Sequence, residues 1–220
     1  MNDNLVTNNL GDIRLYNGDC MDWIRTVPDK YYELAIVDPP YGVGMTWAKD
    51  KDSKFYKHRS SYKNNTCPNE EYFNNLFRIS KGIIIFGANY YTNYLPPRNS
   101  WIIWDKKIDY NKHKHSECEL AWTNFNVPSR IAKFAWNGFV TCEKRYGNHP
   151  HEKPVKLYEW VLTNYAKKGD KIFDSHFGSL SIGIACHNLG FKLDACELDN
   201  EYYHASLQRL KNHQRQLKLF

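Results

Sequence analysis

Short apolar runs that alternate with longer amphipathic segments constrain the fold of this chain more than any other feature. The runs Leu34–Val37, Gly82–Phe86 and Lys171–Phe173 have the length and composition of buried strands. Between such runs lie segments whose apolar residues share one helical face, among them a segment that Asn69 can cap. Strands that alternate with helices are typical of an α/β fold with a largely parallel sheet.

Further elements continue this series. Pro154 suits the first turn of a helix, Gly190 can end a helix, and Asp199 can cap the last one. We find no internal repeat, so the elements form a single series. Additional strands are predicted at Ile13–Tyr16, Trp101–Trp104, Glu119–Trp122, Ile131–Ala135 and Leu193–Cys196, and additional helices at Met21–Val27 and Ser179–Leu189.

The size and charge of the chain fit one domain with an anionic partner. A chain of 220 residues can bury one sizeable core. Its 30 Lys and Arg residues against 24 Asp and Glu residues give a net charge of +6, which favours an anionic partner. Basic residues concentrate between residues 42 and 66, and the aromatic content of 15% is high enough to supply stacking surfaces as well as a core.

Membrane, secreted and metal-binding classes are disfavoured. No apolar stretch approaches the roughly 18 residues of a membrane span, and the polar start lacks the regions of a secretory signal. The six cysteines form no CxxC pair, so we predict neither a disulfide framework nor a zinc knuckle. The closely spaced histidines, His113 with His115 and His149 with His151, lack an evident third ligand. We therefore expect a cytoplasmic protein without a metal site.

Three acidic residues stand where predicted strands end, namely Asp38, Asp174 and Glu197. In an open α/β sheet, ligands bind beyond the carboxyl ends of the strands, near the point where the strand order reverses. We therefore expect these carboxylates to lie at one edge of the sheet and to line a ligand site.

The segment from Ile172 to Asp199 has the order of a nucleotide-binding β-α-β unit. Gly178 and Ser179 allow close approach to the backbone, and Glu197 follows Gly178 by 19 residues, where an acid can accept hydrogen bonds from ribose hydroxyls. A purely structural β-α-β unit would have the same order. The chain lacks the three-glycine pyrophosphate pattern and the GxxxxGK[ST] loop, which favours a nucleoside cofactor without a pyrophosphate, such as S-adenosylmethionine.

The residues Asp38-Pro39-Pro40-Tyr41 suit chemistry on the exocyclic amine of a nucleobase. Such an amine is a poor nucleophile because its lone pair is delocalised into the ring. The Asp38 carboxylate and the Pro39 carbonyl could each accept one N–H bond and concentrate that lone pair toward an electrophilic methyl group. Rigid prolines would fix the turn, and Tyr41 could stack on an extruded base. The alternative is an aspartate that merely caps a turn before two prolines.

These motifs resemble those of the amino-group DNA methyltransferases, which methylate the exocyclic nitrogen of adenine or cytosine. DPPYG at residues 38–42 is similar to the family's catalytic motif, and its Asp resembles the version found mostly in adenine-N6 enzymes. The segment from Asn148 resembles the HPxxKP segment, which implies a role for Lys153 near the methionine carboxylate of the cofactor. GDC at residues 18–20 resembles the acidic turn that contacts the cofactor's adenine.

The resemblance implies a complete site. The catalytic residues would be Asp38, Pro39, Pro40 and Tyr41, and the residues that bind S-adenosylmethionine would be Asp19, Cys20, Asp38, Lys153, Asp174, His176, Phe177, Gly178, Ser179 and Glu197. The cofactor turn departs from the family pattern D-P-F-x-G-S-G, because Ser175, His176 and Leu180 replace its Pro, its aromatic residue and its second Gly. An imidazole can still make the aromatic face contact.

The order of the motifs resembles the permuted beta group, and the cofactor turn resembles that of small prophage-type members. This implies a single-domain, Rossmann-like α/β fold over residues 1–220, with a mostly parallel seven-stranded sheet and one antiparallel strand. Residues 105–147 would hold the target-recognition region, and residues 42–66 a mobile basic loop. Double-stranded DNA would be contacted by Arg130, Lys133, Trp136, Lys144 and Arg145.

Adenine-N6 methylation of DNA by S-adenosylmethionine is the activity that these features favour. RNA adenine methylation, DNA cytosine-N4 methylation and a degenerate DNA-binding relative stay open as alternatives. Cytosine-C5 methylation needs a Pro-Cys pair, whereas this chain has Cys67-Pro68 in the reverse order, and methylation of protein glutamine would match Asn at position 38. A homodimer and a cognate restriction endonuclease stay open as partners.

Overall fold

A computed structural model describes residues 7–42, 66–109, 116–136, 141–146, 149 and 151–216. Its strands are β1 (Thr7–Leu10), β2 (Ile13–Asn17), β3 (Tyr32–Val37), β4 (Ser80–Phe86), β5 (Trp101–Asp105), β6 (Cys118–Thr123), β7 (Arg130–Lys133), β8 (Lys171–Asp174) and β9 (Lys192–Glu197). Its helices are α1 (Cys20–Ile24), α2 (Glu70–Ile79), α3 (Val155–Tyr165), α4 (Ser181–Leu189) and α5 (Asn200–Arg215), with a short 3₁₀ turn at Ala88–Tyr90.

The strands form one mixed sheet in the order β1-β2-β9-β8-β3-β4-β6-β5-β7. Strands β2, β9, β8, β3 and β4 are parallel. Strand β1 is antiparallel to β2, β6 is antiparallel to both β4 and β5, and β7 is parallel to β5. Within the described residues, two strands therefore run against the other seven.

The predicted α/β class is confirmed, whereas the predicted seven-stranded sheet with one antiparallel strand is wrong. The number seven follows only from the resemblance. The sequence itself predicts strands at Glu119–Trp122 and Ile131–Ala135, which correspond to β6 and β7 within residues 105–147. Strand β1 is not evident from the sequence because TNNL has no apolar alternation. The predicted mobile loop at residues 42–66 lies almost entirely outside the described residues.

Local signals at the helix ends are confirmed by the structure. The Asn69 side chain accepts a hydrogen bond from the Tyr72 N–H at 3.2 Å, and the Asp199 side chain accepts from the first turn of α5. Gly190 ends α4 with a left-handed φ of 73°. Pro154 lies one position before α3, at its N-cap, rather than inside its first turn.

Helices cover both faces of the sheet. On β3, Leu34 and Ile36 pack in a cluster with residues of α3, α4 and α5, while Ala35 and Val37 pack in a second cluster with residues of α1 and α2. Successive side chains of a strand point to opposite faces, so a strand that is covered on both faces is apolar throughout. This explains the continuous apolar run before Asp38. No helix among the residues described here is long and apolar enough to span a membrane.

Candidate active site

The three acids at the strand ends lie together, as the sequence predicts. Strands β9, β8 and β3 are neighbours and parallel, so Glu197, Asp174 and Asp38 reach the same edge of the sheet. All but Asp174 line a cleft of about 980 Å³, together with Asp19, the DPPY segment, Lys153 and the turn after β8. We call the region of Asp174, Glu197 and the turn 175–180 the acidic half of the cleft. The region of residues 38–41 with Lys153 and Glu119 is the DPPY half.

Glu197 is held by the backbone in the acidic half. Its Oε2 accepts a hydrogen bond from the Gly178 N–H at 2.9 Å, and its Oε1 accepts one from the Asp199 N–H at 2.9 Å. Burial raises the pKa of this carboxyl to about 7, although the backbone donors act in the opposite direction. Each oxygen of a carboxylate can accept a second hydrogen bond, so Glu197 can still bind two hydroxyl groups.

Asp174 is 1% exposed at the end of β8. Its Oδ1 accepts a hydrogen bond from the His176 N–H at 3.0 Å. Burial raises its pKa to about 8, and the nearby charges of Asp38 and Glu197 add to this shift. The acidic half thus concentrates carboxyl groups that a cationic ligand would stabilise in their ionised form.

Hydrogen bonds within the turn and to neighbouring elements hold the turn after β8 in place. The Ser175 hydroxyl contacts the Tyr72 hydroxyl at 2.6 Å and the His176 Nδ1 at 2.8 Å. Burial lowers the pKa of His176 to about 4, so its imidazole is neutral at pH 7. The Phe177 N–H donates to the Cys196 carbonyl at 3.0 Å, which ties the turn to β9.

Leu180 keeps the backbone shape that the replaced family glycine would allow. It adopts a left-handed φ of 59° immediately before α4, and its side chain is fully buried. A left-handed conformation costs a residue with a side chain roughly 1–2 kcal/mol. The burial of the leucyl side chain offsets this cost. Leu180 thus adopts a backbone conformation that glycine would adopt without this cost.

Asp38 in the DPPY half is held by Tyr41 and Lys153. Its Oδ1 accepts a hydrogen bond from the Tyr41 hydroxyl at 2.7 Å, and its Oδ2 forms an ion pair with the Lys153 ammonium. Lys153 also pairs with Glu119 Oε2 at 3.2 Å, and Glu119 Oε1 pairs with Lys106 at 2.6 Å. These residues form a chain of alternating charges, Lys106–Glu119–Lys153–Asp38, that ends at the DPPY segment.

Within the charge chain, the pKa values of Glu119 and Lys153 are shifted toward the ionised forms. Burial alone would raise the pKa of Glu119, but Lys153 and Lys106 together hold it at about 2. Burial alone would lower the pKa of Lys153, but Asp38 and Glu119 raise it above its ordinary value. The lysine, which is 4% exposed, therefore remains charged inside the protein.

The ring of Tyr41 is packed against the turn that follows β4. It stacks on Tyr90 with a centroid distance of 4.9 Å and an interplanar angle of 14°. A Cβ atom built on Gly87 would lie 2.1 Å from Cε1 of Tyr41 and 2.5 Å from its Cζ. Because Gly87 also has a φ of 66°, only glycine fits this position without displacing the ring.

The remaining residues predicted for the cofactor also lie around the cleft. The Asp19 side chain caps α1 by accepting from the Met21 N–H at 2.9 Å. The Cys20 Sγ lies 4.0 Å from His176 Nε2. Ser179 lines the cleft and accepts from Arg209 through its carbonyl at 2.7 Å. The structure places Lys153 on Asp38 and Glu119, whereas the resemblance implies a place near a ligand carboxylate.

The residues predicted to contact DNA have different surroundings. Lys133 and Lys144 are exposed. Arg130 lies 4.9 Å from the Trp160 ring centroid and donates to Asn164 Oδ1 at 2.5 Å. Trp136 is 8% exposed and donates from its indole N–H to the Glu152 carbonyl at 2.6 Å, and the Arg145 guanidinium lies 5.4 Å from its ring centroid. Arg130 is thus exposed like the two lysines although it contacts Trp160 and Asn164, whereas Trp136 is buried.

Several site residues are missing from the sequence-based prediction. Glu119 and Lys106 are not assigned to the site by any motif, although a single acid in the apolar run of β6 is a visible signal. His149 and His151 lie in the segment that resembles HPxxKP but are given no role by it; both line the cleft, and burial lowers the pKa of His149 to about 3. Within the described residues, no group of three His, Cys, Asp or Glu side chains is arranged to hold a metal ion.

A family profile matches most of the chain. The profile of the N6/N4 methylase family, described as DNA methylase, matches residues 45–208. The DPPY segment lies just ahead of the matched range.

Individual methyltransferases are similar over most of their length. Type II methyltransferase M.HpaI of Haemophilus parainfluenzae is 22% identical over 90% of this chain and 74% of its own. Type II methyltransferase M2.MboI of Moraxella bovis is 23% identical over 91% of each chain. DNA adenine methyltransferase YhdJ of Escherichia coli is 22% identical over 89% of this chain and 82% of its own.

Solved structures of methyltransferases share the fold. The cytosine-N4-specific PvuII DNA methyltransferase superposes with a TM-score of 0.64 at 13% identity and covers 96% of this chain and 89% of its own. M1.HpyAVI in complex with SAM superposes with a TM-score of 0.57 at 18% identity and covers 90% of this chain and 98% of its own. The chain therefore has the α/β, Rossmann-like fold of these proteins.

Proposed function

Since the chain belongs to the N6/N4 family of amino-group DNA methylases, we propose that it methylates N6 of adenine in double-stranded DNA. S-adenosylmethionine is the methyl donor. The observation that carries the proposal is the convergence of the DPPY segment with Asp174 and Glu197 at one edge of the sheet. This arrangement places a carboxylate suited to a nucleobase amine beside a site suited to a nucleoside cofactor.

The acidic half fits S-adenosylmethionine by its chemistry. The cofactor carries a sulfonium and an ammonium group, and these positive charges suit carboxyl groups whose pKa values burial has raised. Asp174 would take the ammonium group, Glu197 the ribose hydroxyls, and Asp19 the adenine. Gly178 has a left-handed φ of 50°, so the turn favours glycine at this position, and the His149 imidazole packs beside it. A Cβ atom at this position would lie 3.1 Å from Nε2 of His149.

When bound, S-adenosylmethionine would supply a methyl group: the amino nitrogen attacks the methyl carbon as its bond to sulfur breaks, the sulfur leaves as a neutral thioether, and one amine proton passes through Asp38 to solvent. The DPPY half would hold that nitrogen. Asp38 and the Pro39 carbonyl each accept one N–H bond from the amine, which concentrates the lone pair on nitrogen. Asp38 keeps acceptor capacity for this role because each carboxylate oxygen has two lone-pair sites. Tyr41 provides a ring on which the extruded base can stack.

The choice of adenine over cytosine depends on residue 38. Its Asp resembles the version of the motif found mostly in adenine-N6 enzymes, and the similar protein YhdJ is named a DNA adenine methyltransferase. Cytosine-N4 methylation is the second candidate, because the cytosine-N4-specific PvuII enzyme superposes over 96% of this chain. The order of the motifs supports membership of the permuted beta group, and the cofactor turn supports a small prophage-type subfamily.

The DNA surface would include the exposed side chains of Lys133 and Lys144. Arg145 can join them if its guanidinium leaves the Trp136 ring. Because such contacts neutralise phosphates and release counterions, binding should weaken as salt rises. Two of the similar proteins are named type II methyltransferases, which supports a search for a cognate restriction endonuclease.

Nucleoside analysis of treated DNA tests the proposed function. Unmethylated plasmid is incubated with the protein and S-adenosylmethionine, digested to nucleosides and separated by chromatography with mass detection. We expect N6-methyldeoxyadenosine, and a matched incubation with RNA should give no product. N4-methyldeoxycytidine would establish the second candidate instead, and the absence of any modified nucleoside would overturn both.

A further inference from the structure

Tyr91 anchors the backbone of the DPPY segment from behind. Its side chain is fully buried at the end of the 3₁₀ turn Ala88–Tyr90. The hydroxyl donates to the Pro39 carbonyl at 2.6 Å and lies 3.0 Å from the Pro40 carbonyl. Burial, together with the charge of Asp38, raises the pKa of this phenol, so the hydroxyl remains a donor at any working pH.

The two prolines give this contact its importance. A proline has no N–H, so Pro39 and Pro40 offer neighbouring segments only carbonyl acceptors. The backbone of these two residues therefore cannot donate the interstrand hydrogen bonds that hold strand β3 in the sheet. A donor from outside must orient the two carbonyls, and the Tyr91 hydroxyl is placed to do so.

A carbonyl oxygen has two lone pairs. With one of them occupied by Tyr91, the Pro39 carbonyl keeps one for the target amine. A carbonyl that is held on one side cannot rotate away when the amine approaches, and small displacements of reacting groups have large effects on rate. The Pro39 carbonyl is thus held in place by Tyr91, which lies 52 positions later in the chain.

We propose that Tyr91 is a positioning residue for methyl transfer, which orients the Pro39 carbonyl toward the target amine. The inference rests on the proposed function and extends it to a residue outside the DPPY segment. Tyr91 touches neither cofactor nor substrate in this scheme. It acts only through the carbonyl that it holds.

The substitution Tyr91→Phe removes the hydroxyl and keeps the ring. Tyr203→Phe is the matched control, because the buried Tyr203 also donates to a backbone carbonyl, that of Leu15 at 3.2 Å, and neither residue lines the cleft. The Tyr203 hydroxyl also accepts from Asn8 at 2.8 Å. Both variants are assayed at a fixed interval below their own melting temperatures, so a loss of stability alone does not register as a loss of rate.

We expect Tyr91→Phe to lower the single-turnover rate of methyl transfer to DNA by about 10- to 100-fold. Its Kd for S-adenosylmethionine and its KM for DNA should stay within about threefold of the wild-type values, because the lost contact acts in the transfer step. Tyr203→Phe should keep the wild-type rate within about threefold. Replacing Tyr91 with 3-fluorotyrosine, which restores a hydroxyl, should restore the rate.

Two results would overturn the inference alone while leaving the proposed function in place. In the first, the wild-type protein methylates DNA and Tyr91→Phe does so at the same single-turnover rate. In the second, Tyr91→Phe binds S-adenosylmethionine more weakly but keeps the wild-type single-turnover rate. A wild-type protein that methylates no DNA would overturn the proposed function, and this inference with it.

Discussion

The two halves of the cleft handle negative charge in opposite ways. In the DPPY half, Asp38 is paired with Lys153, which is paired in turn with Glu119. In the acidic half, Asp174 and Glu197 accept hydrogen bonds from backbone N–H groups, and burial raises the pKa of both. In the DPPY half, lysines of the protein balance the carboxylates. In the acidic half, the carboxyl groups are held by backbone N–H groups instead.

This difference indicates which kind of ligand each half is suited to bind. A neutral amine needs hydrogen-bond acceptors in fixed positions, and the ion pair with Lys153 keeps Asp38 in place. A cationic cofactor suits carboxyl groups that can ionise beside it, and the acidic half holds two whose pKa values burial raises to about 8 and about 7. On the proposed function, we therefore expect the DPPY half to determine the rate of methyl transfer and the acidic half the affinity for the cofactor.

The largest expected effect is that of Asp38→Ala. Removing the acceptor should lower methyl transfer by about 10³-fold or more, since an acid–base group at the reacting centre contributes 10²- to 10⁴-fold and a hydrogen-bond position is lost as well. The measurement is incorporation of labelled methyl groups into DNA. Circular dichroism should show an intact fold, because Lys153 keeps Glu119 as its partner. A variant with full activity would refute the role given to Asp38.

Gly87→Ala tests whether the placement of Tyr41 matters. The added Cβ would lie 2.1 Å from the Tyr41 ring, which stacks on Tyr90 and cannot move without losing that contact. Displacement of the ring should lower the transfer rate by about 10- to 100-fold.

Gly11→Ala provides the matched control for this substitution. Gly11 has a φ of 69°, close to the 66° of Gly87, but a Cβ there would meet nothing within 4 Å. Both substitutions should cost about 1 kcal/mol of stability for a left-handed alanine. Only Gly87→Ala should lower the transfer rate. Equal rates in the two variants would show that the position of the Tyr41 ring does not affect methyl transfer.

The smallest expected effect is a decline in stability between pH 7 and 8.5. Asp174 and Glu197, with pKa values of about 8 and about 7, hold protons in the folded state that the unfolded chain has already released. Such groups stabilise the fold at lower pH, and this contribution is lost as pH rises through their folded pKa values. The buried histidines, whose pKa values are lowered, hardly titrate in this range.

The expected loss is on the order of 1 kcal/mol, or about 2–4 °C in melting temperature. Thermal melts of the ligand-free protein measure it. Asp174→Asn should flatten the curve because it removes the larger contribution. A melting temperature that rises over this interval in the wild-type protein would contradict the raised pKa values.

The fold and the acidic half could be predicted because their signals are local. Asp38, Asp174 and Glu197 directly follow or end their strands, and parallel neighbouring strands bring their ends together. Asn69 and Asp199 act within one turn of the residues that they cap.

The rest of the DPPY half depends on partners far apart in the sequence. Glu119 reaches Lys153 because β6 is inserted in reverse between β4 and β5, and Tyr91 reaches Pro39 only after the chain has passed through α2 and β4. No pattern in a single segment of the sequence predicts such long-range contacts. Likewise, the sequence does not distinguish a tryptophan that faces solvent from one that, like Trp136, donates its indole N–H to a buried carbonyl.

Calorimetric titration of S-adenosylmethionine into two matched variants tests the division between the halves most directly. Asp38→Asn and Asp174→Asn each replace a carboxyl group with an amide and keep the shape of the side chain. We predict that Asp38→Asn binds the cofactor within about threefold of the wild-type Kd, and that Asp174→Asn binds it at least about tenfold more weakly, since a charge-assisted contact is lost only there. Affinity that is lost in Asp38→Asn and retained in Asp174→Asn would contradict the account.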